Sequence, residues 1–565
     1  MLVLLVIFIG YYFLFRGLGF WLQRPDPDEE ELAEIAGVFL GAALMALALY
    51  PLHFFLSSSI YLLIPFGFLA AGGWLKYWRP WRQALCKLWL NAALAERALA
   101  IFAVITLLAY SALPSSLIDE GLYYAQAIRW FEEAGMVRGL PNFDYYLGQA
   151  SSLHALESLV NGHWWDWRFN DLGVFFASVW AGNLLLNRRN FGYWPLIIAA
   201  LGLLSFTALL SATNSDLTLF LIASVLLLKD RQNGFRSLNT PIALVALAVL
   251  VKLNGLVLLV WLFFQPGFKT KLSALATVAL VAFKNWYVTG FLFFPFFSWQ
   301  WGEVPWQIPK VAFAMQAKLK VLLAYEWFFA EENYRSHSFS ENFVKLFFQN
   351  GATSLVLWIS LLGLLAYGFR LAKTRRGSPL WAVALSLYFL AWWYFSPQGR
   401  LLLPFAWLPW LGLFRFSAIN RTAYALLASI YALLSLLLFL DFASIMKKVD
   451  TFSRASNYRW QIQWLLQPAP VWNIETETVK TAPGKFQYQK PKDLNYCFYA
   501  QFPCTPYGLN DYLVNDSLYL PVPLGESYQD GFTYRAIPYD TVALQRHNSL
   551  DYRFFRRYFQ EGQNE

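Results

Sequence analysis

In the stretch SSLIDEGLYYAQAIRW, residues 115–130, two adjacent carboxylates follow directly on the apolar run ALAIFAVITLLAYSAL. A carboxylate held at such a boundary can do one of two things. Asp119 can cap the helical pattern that follows, with Glu120 favouring the helix dipole. Alternatively, Asp119 can act as a general base, taking the proton of an acceptor hydroxyl as its oxygen attacks a sugar carbon. A second acid, Asp216 in SATNSDLTLF, also opens an apolar run; capping is its default reading, and its interest is its position on the same side as Asp119.

Three cations lie where apolar segments end: Lys252 in PIALVALAVLVKLNGLVLLVWLFF, Lys284 in VAFKNWYVTGFLFFPF and Arg400 in YFSPQGRLLLPF. Each can snorkel to headgroups, or hold the phosphate of a lipid-linked substrate, Arg as a fork and Lys as a point charge. Between the two acids, RGLPNFDYYLGQASSLHALESLVNGHWWDWRFNDLG offers Arg138 and His154 among Tyr and Trp. Aromatic platforms with a few hydrogen-bonding groups suit a sugar ring, and equally a helix lying on headgroups. His154 and His163 do not have the spacing of a histidine metal motif, so no metal is expected. No phosphate-binding glycine loop, nucleophile elbow or zinc-protease motif is present, which argues against an ATPase, a hydrolase of that class and a zincin.

The elements that must position these residues are membrane helices. The chain is 565 residues long, 58% apolar and only 14% charged, with mean hydropathy +0.40. Soluble domains carry about 25% charged residues. The net charge of +9 resides mostly in short loops, so it is read as topology rather than as nucleic-acid binding. Spans are expected near 2–20, 33–56, 58–75, 98–113, 172–186, 191–210, 216–229, 272–287, 352–370, 379–395, 401–414 and 422–440. With residues 241–264 read as a hairpin of two half-helices, tipped by Lys252 and turning at Asn254-Gly255, the count is about 12 to 14 crossings of roughly 20 residues or fewer. The positive-inside rule puts the basic loops in the cytoplasm and both termini outside. The exterior then holds loops 114–171 and 285–350 and a small C-terminal domain, 441–565. Cys497 and Cys504 fall in that domain, where a disulfide can persist.

The arrangement resembles the GT-C superfamily of integral-membrane glycosyltransferases, multi-spanning proteins with an acidic motif early in the first large exterior loop. It is also similar to an uncharacterised family of bacterial multi-pass membrane proteins, through DEGLYYAQAIRWFEEAGMVRGLPN, SATNSDL, VKLNGL, NWYVTGFLFFPF, SPQGR and NYCFYAQFPCTPY. That family is expected to carry Thr or Ser where this chain has Glu120, Asp near Gln398, and Trp rather than Phe498. The resemblance implies a mainly α, GT-C-like transmembrane bundle over 1–440 in the bacterial inner membrane. It further implies a polyprenyl-phosphate-linked sugar as donor, no cofactor, and a glycan or lipid of the cell envelope as acceptor. Asp119, with Glu120 beside it, would be catalytic; Arg400 and Lys252 would hold the donor phosphate, with Asp216, Arg138, Lys284 and His154 as further substrate-binding candidates. Two other functions use many of the same parts: a transporter or flippase of lipid-linked saccharide, and a non-catalytic assembly protein for envelope polysaccharide.

Overall fold

The computed structural model describes residues 2–23, 32–113, 119–165, 169, 171–187, 192–232, 237–309, 313, 339–374, 378–395, 397–413, 421–439, 475–480, 487–492, 497, 500–505, 519–525 and 527–536. The chain is mainly helical. Among the described residues, 6 helices are long and apolar enough to cross a membrane: α1 (Leu2–Gly19), α2 (Ala33–Leu52), α3 (Ile60–Asn91), α4 (Leu94–Ser111), α12 (Phe268–Thr289) and α14 (Gly351–Thr374). Shorter helices complete the bundle: α5 (Ala125–Glu133), α6 (Ser152–Val160), α7 (Leu172–Leu186), α8 (Tyr193–Ser205), α9 (Ser215–Gln232), α10 (Asn239–Val251), α11 (Leu256–Phe263), α13 (Phe339–Val344), α15 (Pro379–Phe395), α16 (Gly399–Ala406), α17 (Leu408–Leu413) and α18 (Arg421–Phe439).

α3 corrects one boundary. The basic stretch after residue 75 is not a loop but continues the same 32-residue helix, with Pro65 and Pro80 inside it. The expected span 401–414 is likewise two short helices, α16 and α17.

Helices α1, α2 and α3 pack through small residues. A Cβ on Gly41 would sit 1.7 Å from the Phe15 carbonyl oxygen, and one on Gly73 2.1 Å from that of Gly17. Only glycine permits such approach, as in small-xxx-small helix contacts, and Gly37 and Gly41 have that spacing. At the end of α1 nearer α2, the buried Arg16 Nε donates to Glu34 Oε2 at 2.9 Å, an acid that also accepts from the Tyr12 hydroxyl.

The centre of the bundle is α9, which packs against α7, α10, α16 and α17. Leu217, Leu219, Phe220, Leu221, Ile222, Val225 and Leu226 are all fully buried. A helix apolar on every side belongs in the interior, and here it fills it. Its N-terminus is set by Asn214, whose Oδ1 accepts the N–H of Asp216 at 2.7 Å and of Leu217 at 3.1 Å. That leaves the Asp216 side chain free of the capping duty its position suggested.

Residues 239–263 fold as α10, an extended Lys252, a 3-10 turn over Leu253–Gly255, and α11. Gly255 lies against the Ala248 backbone, where a Cβ would come within 2.6 Å, so the chain doubles back. Lys252 is the helix-ending residue, with φ −153° and ψ 134°.

The end of the bundle where α4 stops, α7, α9 and α16 start, and α10 and α12 stop also carries residues 119–165 and the C-terminal strands. Two antiparallel hairpins form there: β1 (Thr476–Lys480) with β2 (Gln487–Pro491), and β3 (Tyr519–Pro523) with β4 (Phe532–Ala536). Thr476 faces Pro491, and Tyr519 faces Ala536. Cys497 and Cys504 are disulfide-bonded.

Candidate functional site

Four charged side chains from four elements meet at this end. Arg400 Nη1 lies 2.5 Å from Asp119 Oδ2, and its Nε lies 4.0 Å from Asp216 Oδ2. The other oxygen of Asp216 accepts from Lys252 Nζ at 2.6 Å. The order across the site is therefore Asp119, Arg400, Asp216, Lys252, with formal charges that cancel. The Asp216 side chain is 0% exposed, and a carboxylate removed from water that far requires paired cations.

Asp119 does not cap its helix. It stands at αR dihedrals before a π-helical turn over Glu120–Tyr124, and its side chain makes no cap hydrogen bond. Instead Oδ2 accepts from the Tyr123 hydroxyl at 3.1 Å while meeting Arg400. The Tyr123 ring stacks on Tyr146 at 5.1 Å and lies edge-on to Tyr124 at 4.5 Å. An aromatic wall thus stands beside the acid.

The cations are placed by their turns. Gln398 is extended before α16, and its carbonyl accepts from Trp392 Nε1 at 2.7 Å. Gly399 follows where a Cβ would press within 2.8 Å of Thr353, and its N–H donates to Thr353 Oγ1 at 3.3 Å. Arg400 is thereby the first side chain that α16 can present. On the Lys252 side, Ser151 Oγ donates to the Val251 carbonyl at 2.6 Å and accepts from Leu153 N–H at 3.2 Å, joining the start of α6 to the end of α10. Tyr388 bridges the two cation-bearing turns: its hydroxyl accepts from Asn254 Nδ2 at 3.2 Å and donates to the Leu401 carbonyl.

His154 stands next to this group. It is buried, its ring lies 5.0 Å from that of Tyr124, and neither ring nitrogen has a hydrogen-bond partner among the described residues. Burial, reinforced by the charge of Lys252, pushes its imidazole down to about 3, so it is neutral at physiological pH. Asp216 Oδ2 and Arg400 Nε are also buried without a hydrogen bond there. Unsatisfied polar atoms of this kind call for an explanation, and a polar ligand supplies one.

The remaining sequence candidates are engaged differently. Glu120 is buried and accepts the Thr213 N–H at 3.0 Å. Lys284 is buried in α12, donating to the Gln149 carbonyl at 2.7 Å and the Ala150 carbonyl at 3.4 Å. Ala150 holds φ +40°, so the ammonium braces a strained turn end. Arg138 lies over Tyr287 at 4.9 Å and Trp306 at 5.2 Å, and its carbonyl accepts the Phe532 N–H at 2.8 Å. These contacts make it a brace between α12 and β4.

The C-terminal strands pack onto the acid-bearing segment. Cys497 N–H donates to the Gly121 carbonyl at 2.8 Å, and Cys504 N–H to Gln126 Oε1 at 3.2 Å. Arg129 donates to the Ala500 carbonyl and lies over the Phe502 ring at 5.5 Å. Phe532 stacks on Phe143 at 5.6 Å. Asp144, also buried here, accepts from Tyr146 N–H at 3.0 Å and from Thr505 Oγ1 at 3.5 Å.

Neither the curated proteins nor the solved structures include a match to this chain. Residues 1–407, which hold every member of the charge cluster, match the family model described as a domain of unknown function, DUF8201. The chain belongs to that family.

Proposed function

We propose that the cluster is the active site of an inverting, integral-membrane glycosyltransferase using a polyprenyl-phosphate-linked sugar. The observation that carries this reading is the convergence of Asp119, Arg400, Asp216 and Lys252 at one end of an apolar bundle, with Asp119 free of capping. A lipid-linked sugar needs a membrane-embedded anion site beside a base and an aromatic face, and these parts answer to that need.

In the reaction the acceptor hydroxyl oxygen attacks the anomeric carbon in line with the bond to the phosphate oxygen. The new C–O bond forms as the old one breaks, and configuration inverts. The acceptor proton passes to an Asp119 carboxylate oxygen. The electron pair of the broken bond stays on the departing polyprenyl phosphate, whose added negative charge Arg400 and Lys252 stabilise. Tyr123, Tyr124 and Tyr146 form the aromatic wall beside Asp119 against which the sugar would sit. The bacterial inner membrane and a cell-envelope acceptor complete the proposal.

The test is transfer from a panel of polyprenyl-phosphate sugars by the full chain in nanodiscs. Asp119→Asn is expected to cut turnover by about 10²–10⁴-fold, the contribution of a positioned general base, while donor binding is kept. Unchanged turnover in Asp119→Asn would remove Asp119 as the base, and no transfer by the wild-type chain from any donor would sink the enzyme reading and favour a flippase, which needs no base.

A further inference from the structure

The resting site is self-neutralised. Among the described residues, the Arg400 guanidinium has Asp119 at 2.5 Å and Asp216 at 4.0 Å, and Lys252 is spent on Asp216 at 2.6 Å. Both cations that would receive a phosphate are already held by the chain's own carboxylates. Oδ2 of Asp119 is likewise occupied twice, by Arg400 and by the Tyr123 hydroxyl.

Building on the transferase reading, we propose that Asp119 is an internal stand-in for the donor phosphate: an incoming phosphate anion displaces it from Arg400, and that displacement is what releases Asp119 to accept the acceptor's proton. Arg400, half-buried, exchanges one oxyanion for another, so its charge is never left unpaired. Asp216 does not take part in the exchange, because it is fully buried and anchored to Lys252. Asp119 is the movable partner. Its side chain is 15% exposed, it lies at the start of a π-helical turn, and it keeps the Tyr123 hydroxyl when the guanidinium leaves. Arg400 Nε, 4.0 Å from Asp216 Oδ2, makes no hydrogen bond among the described residues and is left to donate to a phosphate oxygen. Base and donor are thereby coupled, and donor binding precedes productive acceptor binding.

The exchange makes a prediction that a fixed anion site does not. Replacing the competing carboxylate by a neutral isostere frees Arg400 and leaves the cluster with a net positive charge, so phosphate binding should become tighter. The experiment measures affinity of the full chain in nanodiscs for a polyprenyl phosphate, with inorganic phosphate as a second arm, for wild type, Asp119→Asn and Arg400→Gln. Asp119→Asn is expected to bind about ten-fold tighter, and Arg400→Gln at least about ten-fold weaker, one charge-assisted contact being worth that factor. If the gain appears with both probes, the exchange answers to phosphate itself; if only with the lipid, the tail is needed to bring it there. Should Asp119→Asn not fold, Asp119→Ser makes the same measurement. If wild type binds the polyprenyl phosphate and the variant binds it no tighter, the exchange is wrong while the transferase reading stands. If neither chain binds a phosphate anion, the donor-site assignment fails as well.

Discussion

At the scale of single residues, Asp216 has the least tolerant surroundings. Its carboxylate is fully buried, with Lys252 as its close partner. Lys252→Met would strand that charge, and breaking a buried pair by removing one partner costs about 3–5 kcal/mol. Thermal denaturation should show the loss, and Asp216→Asn combined with Lys252→Met should recover much of it. A double variant as unstable as Lys252→Met would mean that Lys252 stabilises by packing alone. Each charge of the cluster was legible as a single residue, because a charged group beside an apolar run stands out. Their pairing was not, since partners from four separated segments leave no mark on local sequence. Lys284 stood out equally, yet its ammonium satisfies two carbonyls. Sequence locates a cation without naming its partner.

At the scale of elements, the turns decide the geometry. Tyr388 holds the Lys252 turn and α16 together through one hydroxyl, and nothing distinguished it among the 31 tyrosines. Tyr388→Phe should leave folding intact and lower turnover about ten-fold, since loosening a positioned group by a fraction of an ångström is costly. Steady-state kinetics beside a melting curve would separate the two effects. The α1–α2 contact offers a second check. Gly41→Leu must push against the Phe15 backbone and should destabilise by about 3 kcal/mol, the upper end of overpacking. A melting temperature equal to wild type would show that these helices do not pack as described. The doubling back at Asn254-Gly255 was readable beforehand from a turn pair between basic flanks. The helical continuation of α3 was not, because a basic run after a span reads as a loop when its own helix propensity is ignored.

Across the whole molecule, the disulfide-bonded Cys497 and Cys504 tie the C-terminal region to the acid-bearing segment through their hydrogen bonds to Gly121 and Gln126. Asp144 lies in that contact, and burial pushes its carboxyl up to about 7. A carboxyl raised in the folded state supports it fully below its ordinary value of 3.8, and that support is lost as pH rises toward about 7. Protease protection of the C-terminal strands should therefore weaken between about pH 4 and pH 7, and Asp144→Asn should flatten the dependence. An unchanged slope in the variant would assign the effect to other groups. The helical, membrane-like character of the chain was plain from composition. The docking of the C-terminal strands was not, because it runs through backbone groups and aromatic faces that no spacing announces.

The proposed mechanism has Asp119 take a proton in the step where a sugar leaves a lipid phosphate held by Arg400. Its most direct measurement is single-turnover transfer of labelled sugar, in nanodiscs preloaded with saturating donor, by wild type and Asp119→Asn. The variant should hold the donor at least as tightly and transfer at least about 10²-fold more slowly, the loss expected for a general base. Transfer at the wild-type rate would contradict it.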